Sequence, residues 1–246
     1  MSGHSKWSTI KRKKGEKDNA RAKVFTKIGR ELAVAVKAGG PDPSSNSKLK
    51  DVIAKAKAAN IPNDNIERAI KKAAGDTDSS NYEEIVYEGY GPSGIAVIVE
   101  TLTDNRNRTA GNVRHYFDKY GGNMGQTGCV SFLFERYGIL AIEKEDVDEE
   151  TLMEAALEAG AVDFLSDDDD VFEVRTDPTE LSAVRDALEA AGYTFAVAEV
   201  QSVPSTYTRL EDEDAIKKMS TMLDMFDEDE DVQNVWHNWE NPEDAE

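Results

Sequence analysis

The hydrophobic pattern first leaves the helical period at residues 76–81, DTDSSN. Before it, apolar residues recur every three to four positions. After it, β-branched and aromatic residues gather in short runs separated by glycine, proline and aspartate. Helical and strand periods bury different faces, so the chain must hold an all-helical part and a part built on sheets. Its 246 residues suit two or three small domains better than one large core.

The helical part comes first. Val24, Ile28, Leu32 and Val36 recur every four residues, with Phe25 and Ala35 widening the stripe, and predict a helix over 18–38. Gly39-Gly40-Pro41 ends it as a cap followed by a breaker. A second helix over 47–59 turns Leu49, Val52, Ile53 and Ala56 inward and stops at Asn60-Ile61-Pro62. A third starts near Asn63 or Asp64, with Glu67 placed for a capping box, and closes at Gly75. Residues 1–16 are basic and lack apolar periodicity, so they read as an arm. Its bulky apolar groups are Trp7 and Ile10. Trp7 either pins the arm to the body or stacks on a base or sugar.

Strands are expected over 85–90 and 95–101, joined through Gly91-Pro92-Ser93-Gly94, then a helix over 106–120. The glycine-rich segment 121–128 leads to an expected strand over 130–134. From there the pattern reads strand 139–142, helix 149–159, strands 161–165 and 171–175, helix 178–191 and strand 194–203. That order, βαββαβ, is the split-βαβ plan of ferredoxin-like domains. A helix over 214–226 and a strand over 232–236 follow. Residues 82–134 supply only ββαβ, and the final αβ completes them. The expected organisation is therefore a basic arm and three-helix domain over 1–78, a discontinuous α+β domain over 79–137 and 205–246, and an inserted domain over 138–204. The fold class is α+β in three domains: the helical one and two ferredoxin-like α+β domains, one inserted in the other.

The formal net charge is -20, which taken alone argues against nucleic acid. The average conceals a division. Residues 1–75 hold 18 Lys and Arg against 7 Asp and Glu, a net +11, and the remainder carries -31. Such asymmetry points to a polyanion as partner of the basic part. The acidic remainder reads as solubility charge or as adaptation to a salty habitat. Within 6–30 lie Lys6, Lys11, Arg12, Lys13, Lys14, Lys17, Arg21, Lys23, Lys27 and Arg30, opposed by Glu16 and Asp18. Such a segment gains affinity by displacing counterions from phosphates, and it positions without reading bases. Arg106 and Arg108 sit near the start of the 106–120 helix, where they either hold phosphate with help from backbone amides or form structural ion pairs.

Catalytic patterns are missing. His4, His115 and His237 form no metal-ligand pair, and no Cys/His/Asn pattern surrounds Cys129, which reads as a small buried residue in a reducing compartment. The loop GGNMGQTG lacks the Lys-Ser/Thr ending of a P-loop and precedes a strand, the reverse of a dinucleotide fingerprint. Its glycines serve tight turning or the close approach of another backbone, an RNA backbone included. The carboxylate runs at 167–170 and 227–231 do not match an EF-hand loop. We therefore expect no enzyme, no metal and no cofactor. The basic N-terminus has no apolar core of a secretory signal, and no stretch approaches a membrane span, so the expected location is cytoplasmic. Nothing demands more than a monomer.

The motifs also resemble a known family. Gly3-His4-Ser5-Lys6-Trp7 with Ile10-Lys11, then Lys23-Val24-Phe25-Thr26-Lys27 with Arg30-Glu31, open the resemblance. Asn63-Asp64-Asn65-Ile66-Glu67-Arg68-Ala69-Ile70, Tyr87-Glu88-Gly89-Tyr90-Gly91-Pro92 and Thr103-Asp104-Asn105-Arg106-Asn107-Arg108-Thr109 continue it. Gly121-Gly122-Asn123-Met124-Gly125 and Val235-Trp236-His237-Asn238-Trp239 close it. In order and along essentially the whole chain these resemble the YebC/PmpR family. Gly29 inside the first helix and Cys129 are small departures. The resemblance implies three domains, one interrupting another, and one of two activities. Bacterial members carry a transcription-regulator label. The family also holds a mitochondrial activator of cytochrome oxidase translation and factors that help ribosomes through difficult peptide bonds such as proline runs. Weak base-reading chemistry favours ribosomal RNA or tRNA on the ribosome as the partner, with DNA as the alternative.

Overall fold

The computed structural model describes residues 19–75 and 82–245, with side chains from Lys23 onward. The chain divides into two compact units: Met1–Thr77 with Arg136–Gln201, and Asp78–Glu135 with Ser202–Glu246. The architecture is α+β, with a helical N-terminal part and two four-stranded sheets.

In the first unit three helices, α1 (Asn19–Gly39), α2 (Ser47–Ala58) and α3 (Asn63–Gly75), enclose one core. Ile28, Leu32, Ala35 and Val36 of α1 meet Leu49, Val52 and Ala56 of α2, with Ile61 and Ile66 closing the cluster. Val24, expected in the stripe, is instead exposed. A strict spacing of four advances about 400° per step, so that row drifts round the helix by roughly 40° each time. Phe25, Ile28, Leu32 and Ala35 alternate steps of three and four and track the core better. The turn between α1 and α2 is organised by Asn46. Its Nδ2 donates to the carbonyls of Ala35 and Gly40, both at 2.8 Å, while its Oδ1 accepts from Leu49 N at 3.0 Å. One buried side chain thus caps the end of α1 and the start of α2. A Cβ on Gly39 would sit 2.7 Å from Asn46 Cγ, so glycine is required there. Glu67 faces Lys71, one turn on, at 3.9 Å, and α3 opens on bonds from Asn65 and Ile66 to the Pro62 carbonyl, where a capping box was expected.

The same unit holds a sheet of order β5-β6-β4-β7, made of β4 (Phe134–Glu143), β5 (Asp163–Leu165), β6 (Val171–Thr176) and β7 (Val197–Pro204). Helices α5 (Glu149–Glu158) and α6 (Leu181–Ala190) complete the βαββαβ order. Leu140, Ile142, Phe172, Val174 and Ala198 face Leu152, Ala156, Leu181, Val184 and Leu188 across this core. The helical core and this core share no residue. Charged contacts join them. Arg185 of α6, its side chain only 3% exposed, reaches Asp51 of α2 at 2.9 Å, and Lys50 pairs with Asp186. Lys55 of α2 lies 2.8 Å from Glu31 and 3.4 Å from Glu199. Burial opposes the Lys55 charge, but the two carboxylates outweigh it and hold the ammonium above its ordinary pKa.

The second unit carries a sheet of order β3-β1-β2-β8, from β1 (Glu83–Tyr90), β2 (Ala96–Thr103), β3 (Asn123–Met124) and β8 (Val232–His237). β8 comes from the far end of the sequence and pairs antiparallel with β2, Ile98 opposite Trp236. Helices α4 (Arg106–Lys119) and α7 (Glu213–Glu228) bring Val113, Phe117, Met219, Met222 and Phe226 against Val97 and Val99 of β2. Ala96 and Ile98, on the other face of the same strand, pack with Val130, Phe134 and Trp236. Being buried on both faces explains why β2 reads as a continuous apolar run.

Candidate nucleic-acid interface

Of the residues expected to hold a polyanion, Lys6, Trp7, Lys11, Arg12, Lys13, Lys14 and Lys17 lie outside the described residues, and Arg21 is described in its backbone alone. Lys23, Lys27 and Arg30 fall at i, i+4 and i+7 on α1, which puts them on one face. That face is opposite Ile28 and Leu32, which are buried in the helical core. The core therefore fixes which way this basic row points. All three are half-buried, as expected of long cationic side chains lying along a helix surface.

Arg106 and Arg108 belong to the other unit. Arg106 opens α4 and is exposed. Asn105 caps that helix, its Oδ1 accepting from Arg108 N at 3.1 Å. Arg108 Nη2 lies 2.7 Å from Asp231 and 2.8 Å from Asp104. Asp231 also accepts from the hydroxyls of Thr103 at 3.2 Å and Thr109 at 2.8 Å. The hydrogen bonds that Arg108 donates to Asp231 and Asp104 raise the already high pKa of the guanidinium. The geometry is that of structural ion pairs for Arg108, and it leaves Arg106 at the helix start.

The glycine-rich segment differs from its expected form. Residues 131–133 form a 3-10 turn where a strand was expected, and β3 lies earlier, inside the glycine run. The cause is Glu88. Its buried carboxylate accepts from the amides of Gly128 at 2.8 Å, Val130 at 2.9 Å and Ser131 at 2.8 Å. Amides bonded to a carboxylate cannot pair in a ladder. Burial opposes the Glu88 charge, yet the three amides hold its pKa below the ordinary value. The loop's anion site is thus filled from within. Its glycines serve the chain's own backbone: a Cβ on Gly122 would come within 2.5 Å of Tyr90 O, and one on Gly89 within 2.5 Å of Asn123 O. Gly121 and Gly128 turn with φ of 82° and 90°. Neither Glu88 nor Asp231 was singled out in the sequence. The signal for Glu88 was an acid between Val86 and Tyr90 on one face of β1, thirty-odd residues before the glycine run.

Cys129, half-buried beside this loop, has its thiol pKa pushed up by burial and by Glu88, the opposite of what a nucleophilic thiolate needs. Among the described residues no group of three or more His, Cys, Asp or Glu side chains is placed to hold a metal. No helix among them is long and apolar enough to cross a membrane.

Family models match nearly the whole chain. The TACO1/YebC protein N-terminal domain covers residues 5–76, and the TACO1/YebC second and third domain covers residues 82–239. The chain belongs to the TACO1/YebC family. A relative from Ruminiclostridium cellulolyticum, named a probable transcriptional regulatory protein, is 61% identical over 100% of this chain and 99% of its own. One of the same name from Acetivibrio thermocellus is 60% identical over 97% of this chain and 99% of its own. The crystal structure of a conserved hypothetical protein from Aquifex aeolicus superposes with a TM-score of 0.80 at 44% identity, covering 91% of each chain. In TACO1/YebC terms, the basic row of α1 falls in the N-terminal domain, whereas Arg108 and the Glu88 loop fall in the second and third.

Proposed function

We propose that this protein is a non-enzymatic, nucleic-acid-binding regulator of gene expression. It acts as a translation factor that holds ribosomal RNA or tRNA and assists difficult peptide bonds such as those in proline runs. The observation that carries the reading is the charge division: +11 over residues 1–75 against -31 over the rest. The contact residues on this reading are Lys6, Trp7, Lys11, Arg12, Lys13, Lys14, Lys17, Arg21, Lys23, Lys27 and Arg30, with a second, smaller group in Arg106 and in Arg108, whose side chain stays 47% exposed while Asp231 and Asp104 hold it. Lysine and arginine on phosphate hold a backbone without reading bases, which suits structured RNA. The acidic remainder weakens stray binding elsewhere on a polyanion. The help at proline runs follows from the family resemblance.

The second reading is a DNA-binding transcription regulator, favoured by the names its relatives carry. On the third helix it has only Arg68, Lys71 and Lys72 with which to meet a groove. One experiment separates the two. The full chain is sedimented with ribosomes after DNase treatment, and in parallel titrated with defined duplex DNA at physiological salt. Ribosome association that survives DNase supports translation. Sequence-specific duplex binding without ribosome association overturns it in favour of the second reading.

A further inference from the structure

The outer ridge of α5 has a composition that binding nucleic acid does not explain. Met153, Leu157 and Val162 are 37%, 53% and 57% exposed, three of the seven large apolar side chains exposed among the described residues. Met153 and Leu157 stand one turn apart on the same face of α5, and Val162 follows just past its end. Leu152 and Ala156 of that helix are buried in the core beneath, so the fold already has its share of α5 and leaves this ridge over.

Glu150, Glu154 and Glu158 flank the same ridge. No cation among the described residues lies within ion-pair distance of them. Residues 138–204 hold 19 acidic side chains and three basic ones, a net -16 of the chain's -20. All three cations are engaged elsewhere. Lys144 donates to Ser166 O, Arg175 pairs with Glu173, and Arg185 pairs with Asp51 and Asp186. Apolar surface ringed by uncompensated carboxylates excludes most occupants. Nucleic acid and anionic lipid are repelled. A second copy would set like charge against like, which costs several kcal/mol where such charges are juxtaposed.

We propose that the Met153–Leu157–Val162 ridge docks a basic segment of a partner protein, one that presents apolar side chains between lysines or arginines. The apolar groups supply contact area, and the carboxylates supply steering and register. This goes beyond the nucleic-acid reading and does not depend on it. A protein with a basic arm for a polyanion and an acidic ridge for a basic protein is equipped to engage a ribonucleoprotein at two points.

The test uses the full chain and two labelled synthetic peptides. One is helical, with leucines one turn apart and lysines elsewhere. Its twin has serine for leucine at equal charge. The leucine peptide should bind about tenfold more tightly than its twin at physiological salt. Met153→Ser with Leu157→Ser should erase that preference while leaving the thermal midpoint unchanged, because both side chains are exposed. Glu150→Gln, Glu154→Gln and Glu158→Gln together should weaken both peptides. Equal binding of the two peptides by the native protein, or a preference that survives Met153→Ser with Leu157→Ser, sinks the proposal. So does sedimentation showing a dimer that those two substitutions dissolve, which would assign the ridge to a second copy.

Discussion

Asp231 Oδ2 lies 2.7 Å from Arg108 Nη2, and so the turn before β8 is tied to the first turn of α4, 123 residues earlier in the sequence. The same oxygen takes the hydroxyls of Thr103 and Thr109. Asp229, two residues before, takes Tyr116 Oη at 3.2 Å and Asn112 Nδ2 at 3.0 Å. Burial and the Asp229 charge push the Tyr116 phenol up to about 12. These two aspartates fasten the far end of the chain to the sheet that β1 and β2 began.

Replacing Asp231 should therefore matter far more than replacing its neighbour in the ion pair. Asp231 has its side chain 5% exposed, whereas Asp104 is 43% exposed. Asp231→Asn leaves two buried hydroxyls and a guanidinium short of a charged acceptor and should cost about 2 kcal/mol. Asp104→Asn removes a solvent-screened pair and should cost less than about 0.5 kcal/mol. Urea denaturation of the two variants measures the difference. Equal losses would show that Asp231 does not hold the turn.

Glu88 gives the glycine loop an acid-sensitive anchor. Its folded pKa lies below the ordinary 4.5, so the charged form is favoured by folding. The stability it contributes is present above that ordinary value and is lost as pH falls through the lowered folded one. Hydrogen-exchange protection at Gly128, Val130 and Ser131 should accordingly drop in that acid window and not between pH 5 and 8. Glu88→Gln should lower protection of those amides already at neutral pH, by about 1–2 kcal/mol, and should remove the acid step. Protection that is the same in both proteins would mean that the loop holds its shape without the carboxylate.

Lys55 is the central charge between the helical core and the α5–α6 core. Lys55→Met leaves Glu31 and Glu199 facing each other with side chains 19% and 9% exposed. Breaking one side of such a buried pair costs about 3–5 kcal/mol. Adding Glu31→Gln and Glu199→Gln to Lys55→Met removes the stranded charges, and most of the loss should return. Thermal unfolding of the single and triple variants checks this. A triple variant no more stable than the single one would place the cost in lost packing of the lysine stem.

How much of this was legible depended on distance along the chain. The three helices were read from local periodicity, and α2 begins at Ser47 as expected because Asn46 caps it. The βαββαβ order of 138–204 followed from counting elements, and so did the return of the final helix and strand to a domain whose sheet begins at Glu83, far back in the chain. What escaped were side chains whose partners are remote. Lys55 sits in AKAKAA beside the inward Ala56 with nothing local to mark its partner, and only the fold brings Glu199 to it. The sequence CVSFLF has strand composition, yet Glu88 takes its first amides and turns the backbone before β4 starts at Phe134. Phe132, 71% exposed, is left outside by that turn.

The basic arm can be tested by reversing its charge. Lys11→Glu, Arg12→Glu, Lys13→Glu and Lys14→Glu together change the charge of residues 1–75 from +11 to +3. Circular dichroism and the thermal midpoint should stay the same. Nucleic-acid binding should be lost at physiological salt. At low salt, where residual binding is measurable, the slope of log affinity against log salt should flatten by roughly three to four, because each phosphate contact contributes about 0.7–0.9. Lys23→Glu with Lys27→Glu, on the ridge of α1 opposite Ile28, should flatten it by roughly a further one to two. An affinity and slope unchanged in the quadruple variant would move the contact surface away from the arm, leaving α1 as its site.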